Sequence, residues 1–274
     1  MTGRMASVAS ATSMTARGST VRGSIVLDRK SMRRIISSVY AAPMSAWMPL
    51  FPLEVAVVPG LVLPLHVFEP RYRHMIHELL AKADPDERLF AIVAQRPGRS
   101  ALSDGLEGMY DIGVVMQLRE VDELPDGRFD VICTGLHRFS PAEISTMPMS
   151  EGADLLRVRI RTLPDPQDQE VGQHIVAGAL DAFSHYRRVL SGRIGQEAEL
   201  DQDEVMPDDP SVLSFLITAA IALPVDERQQ LLACHTAEDR LRSVTSILQR
   251  ESRLIRAFSA MPALDLTAGM PGPN

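Results

Sequence analysis

The spacing of apolar residues changes period once along this chain, and that change constrains the fold more than any other feature. From Met48 to about Ile160 the apolar residues mostly alternate or form short runs, the pattern of half-buried strands. Beyond Leu163-Pro164-Asp165-Pro166 they recur every third or fourth residue, the spacing of one helix face. Strands first and helices last is the order of an α+β architecture.

In the strand half, Leu53, Val55 and Val57 alternate, Pro59-Gly60 interrupts the run, and Leu61 to Val67 resumes it. Glu69-Pro70 begins a helix with proline in its first turn. Tyr72, Met75, Ile76, Leu79 and Leu80 follow at helical spacing as one apolar stripe, and the helix ends before Asp84-Pro85. Further strands are predicted at 89–94, 111–121, 128–134, around 139–144 and at 155–161. Leu124-Pro125-Asp126-Gly127 reads as a hairpin turn, because Asp-Gly supplies the positive φ angles such turns need. Short strands at this spacing with one early helix suggest a small closed or nearly closed barrel over 48–162.

The helical half, 163–260, reads as a bundle. A helix is predicted from about Gln167 to Leu190, then a solvated loop from Glu197 to Asp209 with seven acids and no base. Asp209-Pro210 starts a helix that is apolar nearly all round, as a buried central helix would be. A short helix carries Leu231 and Leu232, and Thr236-Ala-Glu-Asp239 approximates a capping box for the last one. That last helix places Leu241, Val244, Leu248, Ile255 and Phe258 on one face. Residues 261–274 read as a flexible tail.

Residues 1–47 carry seven basic side chains against one acid, Asp28, and show no apolar periodicity. Such a segment is expected to be a disordered basic tail, since it buries too little surface to offset its ordering entropy. Its composition also fits a transit peptide, and a start at Met44 or Met48 is a third reading. The tail's +6 leaves −13 on the rest of a chain whose net charge is −7. An acidic body of that kind repels phosphate backbones, which disfavours nucleic acid as the main partner. Two cysteines about a hundred residues apart, Cys133 and Cys234, form no disulfide framework and suit a reducing cytoplasm. The best apolar run, Val212 to Leu223, falls short of the roughly 20 residues that a bilayer requires.

The catalytic possibilities are narrow, because the chain has only two lysines. Neither Lys30 nor Lys82 sits in the Gly-Lys-Ser/Thr context of a phosphate-binding loop, and neither suits the base of a Ser-Lys peptidase dyad. His74 and His77 share a helix face but have no HExxH pattern or cysteine ligand nearby, so they read as solvent-facing, not as metal ligands. Cys234-His235 reads as a helix junction and Asp208-Asp209 as a helix start. Gly105, Gly108 and Gly113 do not make a dinucleotide fingerprint. No cofactor is expected.

The segments MPLFPLEVAVVPGLVLPLHVFEPRY (48–72), DIGVV, DGRFDVICTGLHRF and LPVDERQQLLACHTAEDRLRSVTSILQRE together resemble the Lon protease N-terminal domain family, in family order over roughly 48–258. The resemblance implies a PUA-like β-barrel followed by a helical bundle. It also implies a polypeptide-recognition module that lacks the ATPase and peptidase domains of full-length Lon and is therefore not an enzyme. Within the motifs, Phe68 and Tyr72 lie four apart and suit closure of the barrel end. Glu69 suits a cap for the helix, Arg71 a pair with an acid across it, and His137-Arg138 an anchor where a strand begins. The same six residues are the candidate substrate contacts. Apolar side chains in a groove where barrel meets bundle are the more natural peptide site.

Three functions remain in play. The first is recognition of unfolded or degron-bearing polypeptides, alone or as an adaptor to a protease or chaperone. The second is RNA binding through Arg157, Arg159 and Arg161 on one strand face, because PUA-like barrels elsewhere hold RNA. The third is a peptidase in its own right.

Overall fold

Backbone pairing, more than local pattern, sets where the strands begin and end. The computed structural model describes residues 8–16, 19–25, 46–150, 152–163, 170–194 and 206–258. The chain divides into two units, Met1–Pro164 and Asp165–Asn274, and the break falls inside the Leu163–Pro166 linker. The first unit contains β1 (Val8–Ala16), β2 (Ser19–Ile25), β3 (Ala46–Leu53), β4 (Val62–Val67), β5 (Leu89–Ala94), β6 (Gly113–Glu123), β7 (Phe129–Met147) and β8 (Leu155–Leu163). It also holds helix α1 (Pro70–Leu80) and the one-turn helix α2 (Ala101–Asp104).

The strands pair in the order β1-β2-β4-β7-β6-β5-β3-β8, and β8 pairs with β7 as well. The strands β7, β6, β5, β3 and β8 therefore form a cycle in which each is hydrogen-bonded to the two beside it, and β7 pairs with β4 in addition. Only β3–β5 is parallel, so the sheet is mixed. Three strand boundaries differ from the sequence reading. The alternating run that begins at Leu53 does not continue as a strand: β3 ends at Leu53, after running antiparallel to β8 over Ala46–Pro49 and parallel to β5 over Leu50–Leu53. The two strands expected at 128–134 and 139–144 are one, since β7 stays paired with β6 on both sides of Leu136, where the register shifts by one residue. Part of the segment expected to be disordered forms the β1–β2 hairpin, and β2 joins β4 at Val21 and Leu65. The remainder of 1–45 lies outside the described residues, as do 197–205 of the acidic loop and the tail from 259.

Pro59-Gly60 forms the turn its composition predicts. Leu61 donates its N–H to the Val58 carbonyl at 3.2 Å, and Gly60 takes φ 81°, which glycine alone adopts without strain. Helix α1 begins at Pro70 as expected and buries Tyr72, Met75, Ile76 and Leu79. Its apolar stripe meets Phe51 of β3 through Tyr72, and exposed His77 sets its ring edge against Phe129 of β7 at 5.1 Å. A separate apolar cluster gathers Leu50, Val93, Val115, Phe139, Val158 and Ile160 from the cycle of strands.

The second unit contains α3 (Gln173–Ile194), α4 (Pro210–Ala220), α5 (Val225–Ala233) and α6 (Ala237–Phe258), with α3, α4 and α5 all packed on α6. Asp209 caps α4 by accepting from the N–H groups of Ser211 and Val212. Thr236 Oγ1 accepts from the Asp239 N–H at 3.0 Å and its hydroxyl donates to the Asp239 carboxylate at 2.7 Å, a side-chain variant of the capping box. Leu241, Val244, Leu248 and Ile255 of α6 are buried. So is Arg240, whose guanidinium lies 3.6 Å from the centroid of the Phe215 ring and donates to Ser214 Oγ at 2.7 Å. Among the described residues, no helix is long and apolar enough to cross a membrane.

Candidate functional site

The six residues singled out from sequence fall into two chemically different groups. Tyr72 is buried, its ring 4.0 Å from that of Phe51, and burial pushes its phenol well above the usual range. Glu69 occupies the N-cap position of α1, but its side chain makes no cap hydrogen bond. Instead Glu69 Oε2 accepts from Arg71 Nε at 2.9 Å and from its terminal nitrogen at 2.8 Å. That corrects both expectations: Arg71 pairs with the acid two residues before it, not across the helix, and this pair draws the carboxylate away from the helix end. Arg71 also lies 4.6 Å from the centroid of the Tyr72 ring. His137 and Arg138 are buried within β7, and loss of solvent pulls the His137 pKa down. Phe68 alone of the six is exposed, at 39%.

Phe68 borders a cluster that the motifs did not mark. Its ring lies 6.1 Å from that of His66, and His66 Nδ1 is 2.6 Å from Asp130 Oδ1. Arg128 reaches the other ring nitrogen, Nε2, at 3.2 Å. A guanidinium only donates, so Nε2 accepts and the ring hydrogen sits on Nδ1, directed at Asp130. Arg128 also donates from Nε to Asp126 Oδ2 at 2.6 Å, and the Arg128 backbone N–H, bonded to Asp126, is the main cause that holds the Asp126 carboxyl below the usual range. The Asp126-Gly127 turn predicted from sequence positions these groups, with Gly127 at φ 75°.

Register turns the cluster into a face. Pro64 of β4, Ile132 of β7 and Glu120 of β6 are direct cross-strand neighbours, and so are His66, Asp130 and Asp122 in the next row. These six side chains line a cavity of about 620 Å³ on the face of β4, β7 and β6. It is part apolar and markedly acidic. The spacing Pro64-x-His66 and Glu120-x-Asp122 was readable as one strand face each, but bringing the faces together required the register.

The other sequence candidates are placed as follows. His74 and His77 are exposed, and among the described residues no cluster of three or more His, Cys, Asp or Glu could hold a metal. Lys82 is exposed and donates to the Glu87 carbonyl at 2.9 Å, while Lys30 lies outside the described residues. Of the β8 arginines, Arg159 is ion-paired with Glu143 across the β7–β8 ladder.

Residues 47–250 match the family model of the ATP-dependent protease La (LON) substrate-binding domain. The Lon protease of Heliobacterium modesticaldum is 28% identical over 211 residues, which is 76% of this chain and 24% of that protein. The Lon protease of Bacillus thuringiensis is 26% identical over 211 residues, 76% of this chain and 25% of its own length. The chain thus spans about a quarter of the curated relatives it matches. Among solved structures, the Lon N-terminal domain protein from Xanthomonas campestris superposes with a TM-score of 0.51 at 19% identity, covering 73% of this chain and 98% of that one. The N-terminal domain of the Mycobacterium avium complex Lon protease gives 0.53 at 19% identity, covering 74% and 98%. At that identity the likeness is one of fold.

Proposed function

This chain belongs to the Lon substrate-binding domain family, and on that premise we propose that it is a polypeptide-recognition module. Its ligands are unfolded or degron-bearing proteins, which it holds in the cytoplasm alone or as an adaptor for a protease or chaperone in protein quality control. The observation that carries this reading is the family match across 47–250. The exposed Phe68 beside a part-apolar cavity supports it, since peptide sites combine apolar contact with a few placed polar groups.

We assign the module no catalytic step and no cofactor. The sequence holds two lysines, and the one described is exposed and bonded to a backbone carbonyl, which is the opposite of the desolvated base a Ser-Lys dyad uses. The cycle of five strands is read as a PUA-like barrel, and the helices after Pro164 as a bundle.

A pull-down of the full chain from native cells, read by mass spectrometry, together with binding to a broad peptide array, tests the proposal. Enrichment of misfolding-prone proteins and retention of a subset of array peptides are expected. Absence of any array binding and of any enriched protein would overturn the reading.

A further inference from the structure

We propose that the outer edge of β4 receives an extended polypeptide segment as an added strand, and that the chain's own β2 holds this place until a ligand displaces it. This rests on the polypeptide-recognition reading and names the binding mode of its site. The direction of the β4 backbone groups carries it. Gly135 of β7 donates its N–H to the Leu61 carbonyl at 2.9 Å. Backbone groups alternate sides along a strand, so Leu63, Leu65 and Val67 also turn theirs toward β7, opposite Cys133, Val131 and Phe129. Val62, Pro64 and His66 therefore turn their backbone groups to the other edge. Pro64 agrees with this phase: facing β7 it would interrupt the ladder, and on the outer edge it does not.

That edge is filled by a strand from outside the matched residues. Within 47–250 the strand order starts at β4, and β1 and β2 precede it in the chain. β2 lies antiparallel to β4 and pairs through Val21 and Leu65, which sets the Arg22 N–H at the Pro64 carbonyl and the Thr20 carbonyl at the His66 N–H. The pairing stops there, whereas β4 and β7 pair from Val62–Thr134 to Val67–Phe129. Pro64 accounts for part of the difference, because it has no N–H to return to Arg22. β2 is thus a strand held by few backbone bonds, on an edge that reads backbone and not sequence. Unfolded polypeptides share those backbone groups whatever their side chains, and strand addition is an established way to bind them. The cavity lined by Pro64, Leu65 and His66 of the same strand gives an added strand a place for one side chain.

The test uses the full chain and a labelled peptide in which Val and Tyr alternate with Thr and Lys, beside the same peptide methylated on its backbone nitrogens. Methylation removes the N–H groups and keeps every side chain, so the methylated peptide should bind at least about ten-fold more weakly. Arg22→Pro removes the N–H that β2 directs at Pro64. It should tighten binding of the unmethylated peptide about three- to ten-fold, because the edge is then open in a larger fraction of molecules. Arg22→Ala keeps that N–H and should leave binding unchanged. A photoreactive benzophenone side chain at position 66 should capture residues 19–25 in the free chain and the added peptide in the Arg22→Pro variant. Equal binding of the methylated peptide, no response to Arg22→Pro, an equal response to Arg22→Ala, or capture only of a second copy of the chain would each overturn the proposal and leave polypeptide recognition standing. Absence of binding by both peptides to all three proteins would overturn both.

Discussion

The rings of Phe51 and Tyr72 lie 4.0 Å apart, centroid to centroid, tilted by 30°. One ring comes from the half of β3 that pairs with β5 and the other from the first turn of α1, so the pair fastens the helix to the sheet. Tyr72→Ala is expected to destabilise the first unit by about 3–5 kcal/mol, the range for deleting a buried aromatic side chain. Urea unfolding followed by circular dichroism checks it. A loss below about 1 kcal/mol would show that the ring is not the fastening.

Phe68, four residues earlier, should behave oppositely. It is exposed, so Phe68→Ala should change stability by no more than about 0.5 kcal/mol. Peptide binding should nevertheless weaken, read by fluorescence anisotropy on the same preparation. Unchanged binding would remove Phe68 from the site.

Buried His137 makes stability depend on pH. Its pKa is lowered by loss of solvent, so the unfolded chain takes up a proton near 6.5 that the folded chain still refuses. More protons are then bound in the unfolded state, and stability rises with pH through the window between the folded value and about 6.5. The urea midpoint should fall as pH drops below about 6.5, and His137→Gln should flatten that part of the profile.

The two cysteines should separate in a thiol-labelling experiment. Cys133 is fully buried and burial pushes its thiol far up, whereas Cys234 is partly exposed. Native protein should take one maleimide, at Cys234, and take the second only on unfolding. Peptide mapping that finds Cys133 labelled in native protein would contradict the packing of β7.

Glycine replacements should differ in sign. A Cβ on Gly113 would come within 2.5 Å of the Ile92 carbonyl oxygen and 2.6 Å of the Phe139 ring, so Gly113→Ala should cost about 1–3 kcal/mol. Gly178 lies in α3 with open space where its Cβ would go, so Gly178→Ala should add roughly 0.5–1 kcal/mol. Melting temperatures of the two variants against the parent decide it.

Local chemistry in the sequence was sufficient for much of this molecule. Pro70 started its helix, the Asp126-Gly127 and Pro59-Gly60 turns formed, Asp209 and Thr236 capped their helices, and the buried stripe of α1 was the expected one. Each depends on a few neighbouring residues, whose φ preferences and side-chain reach act within one turn. What the sequence left undecided depends on partners far along the chain. Pro49 and Pro52 have no N–H to give a ladder, yet β3 forms there because β8 partners Ala46–Pro49 and β5 partners Leu50–Leu53. The face at Pro64, Ile132 and Glu120 joins Pro64 to two residues more than fifty positions further along the chain. Periodicity says which side chains share one strand face, but only the register of β4 on β7 and of β7 on β6 decides which faces meet, and a slip of one residue would turn Asp122 and Asp130 to opposite sides.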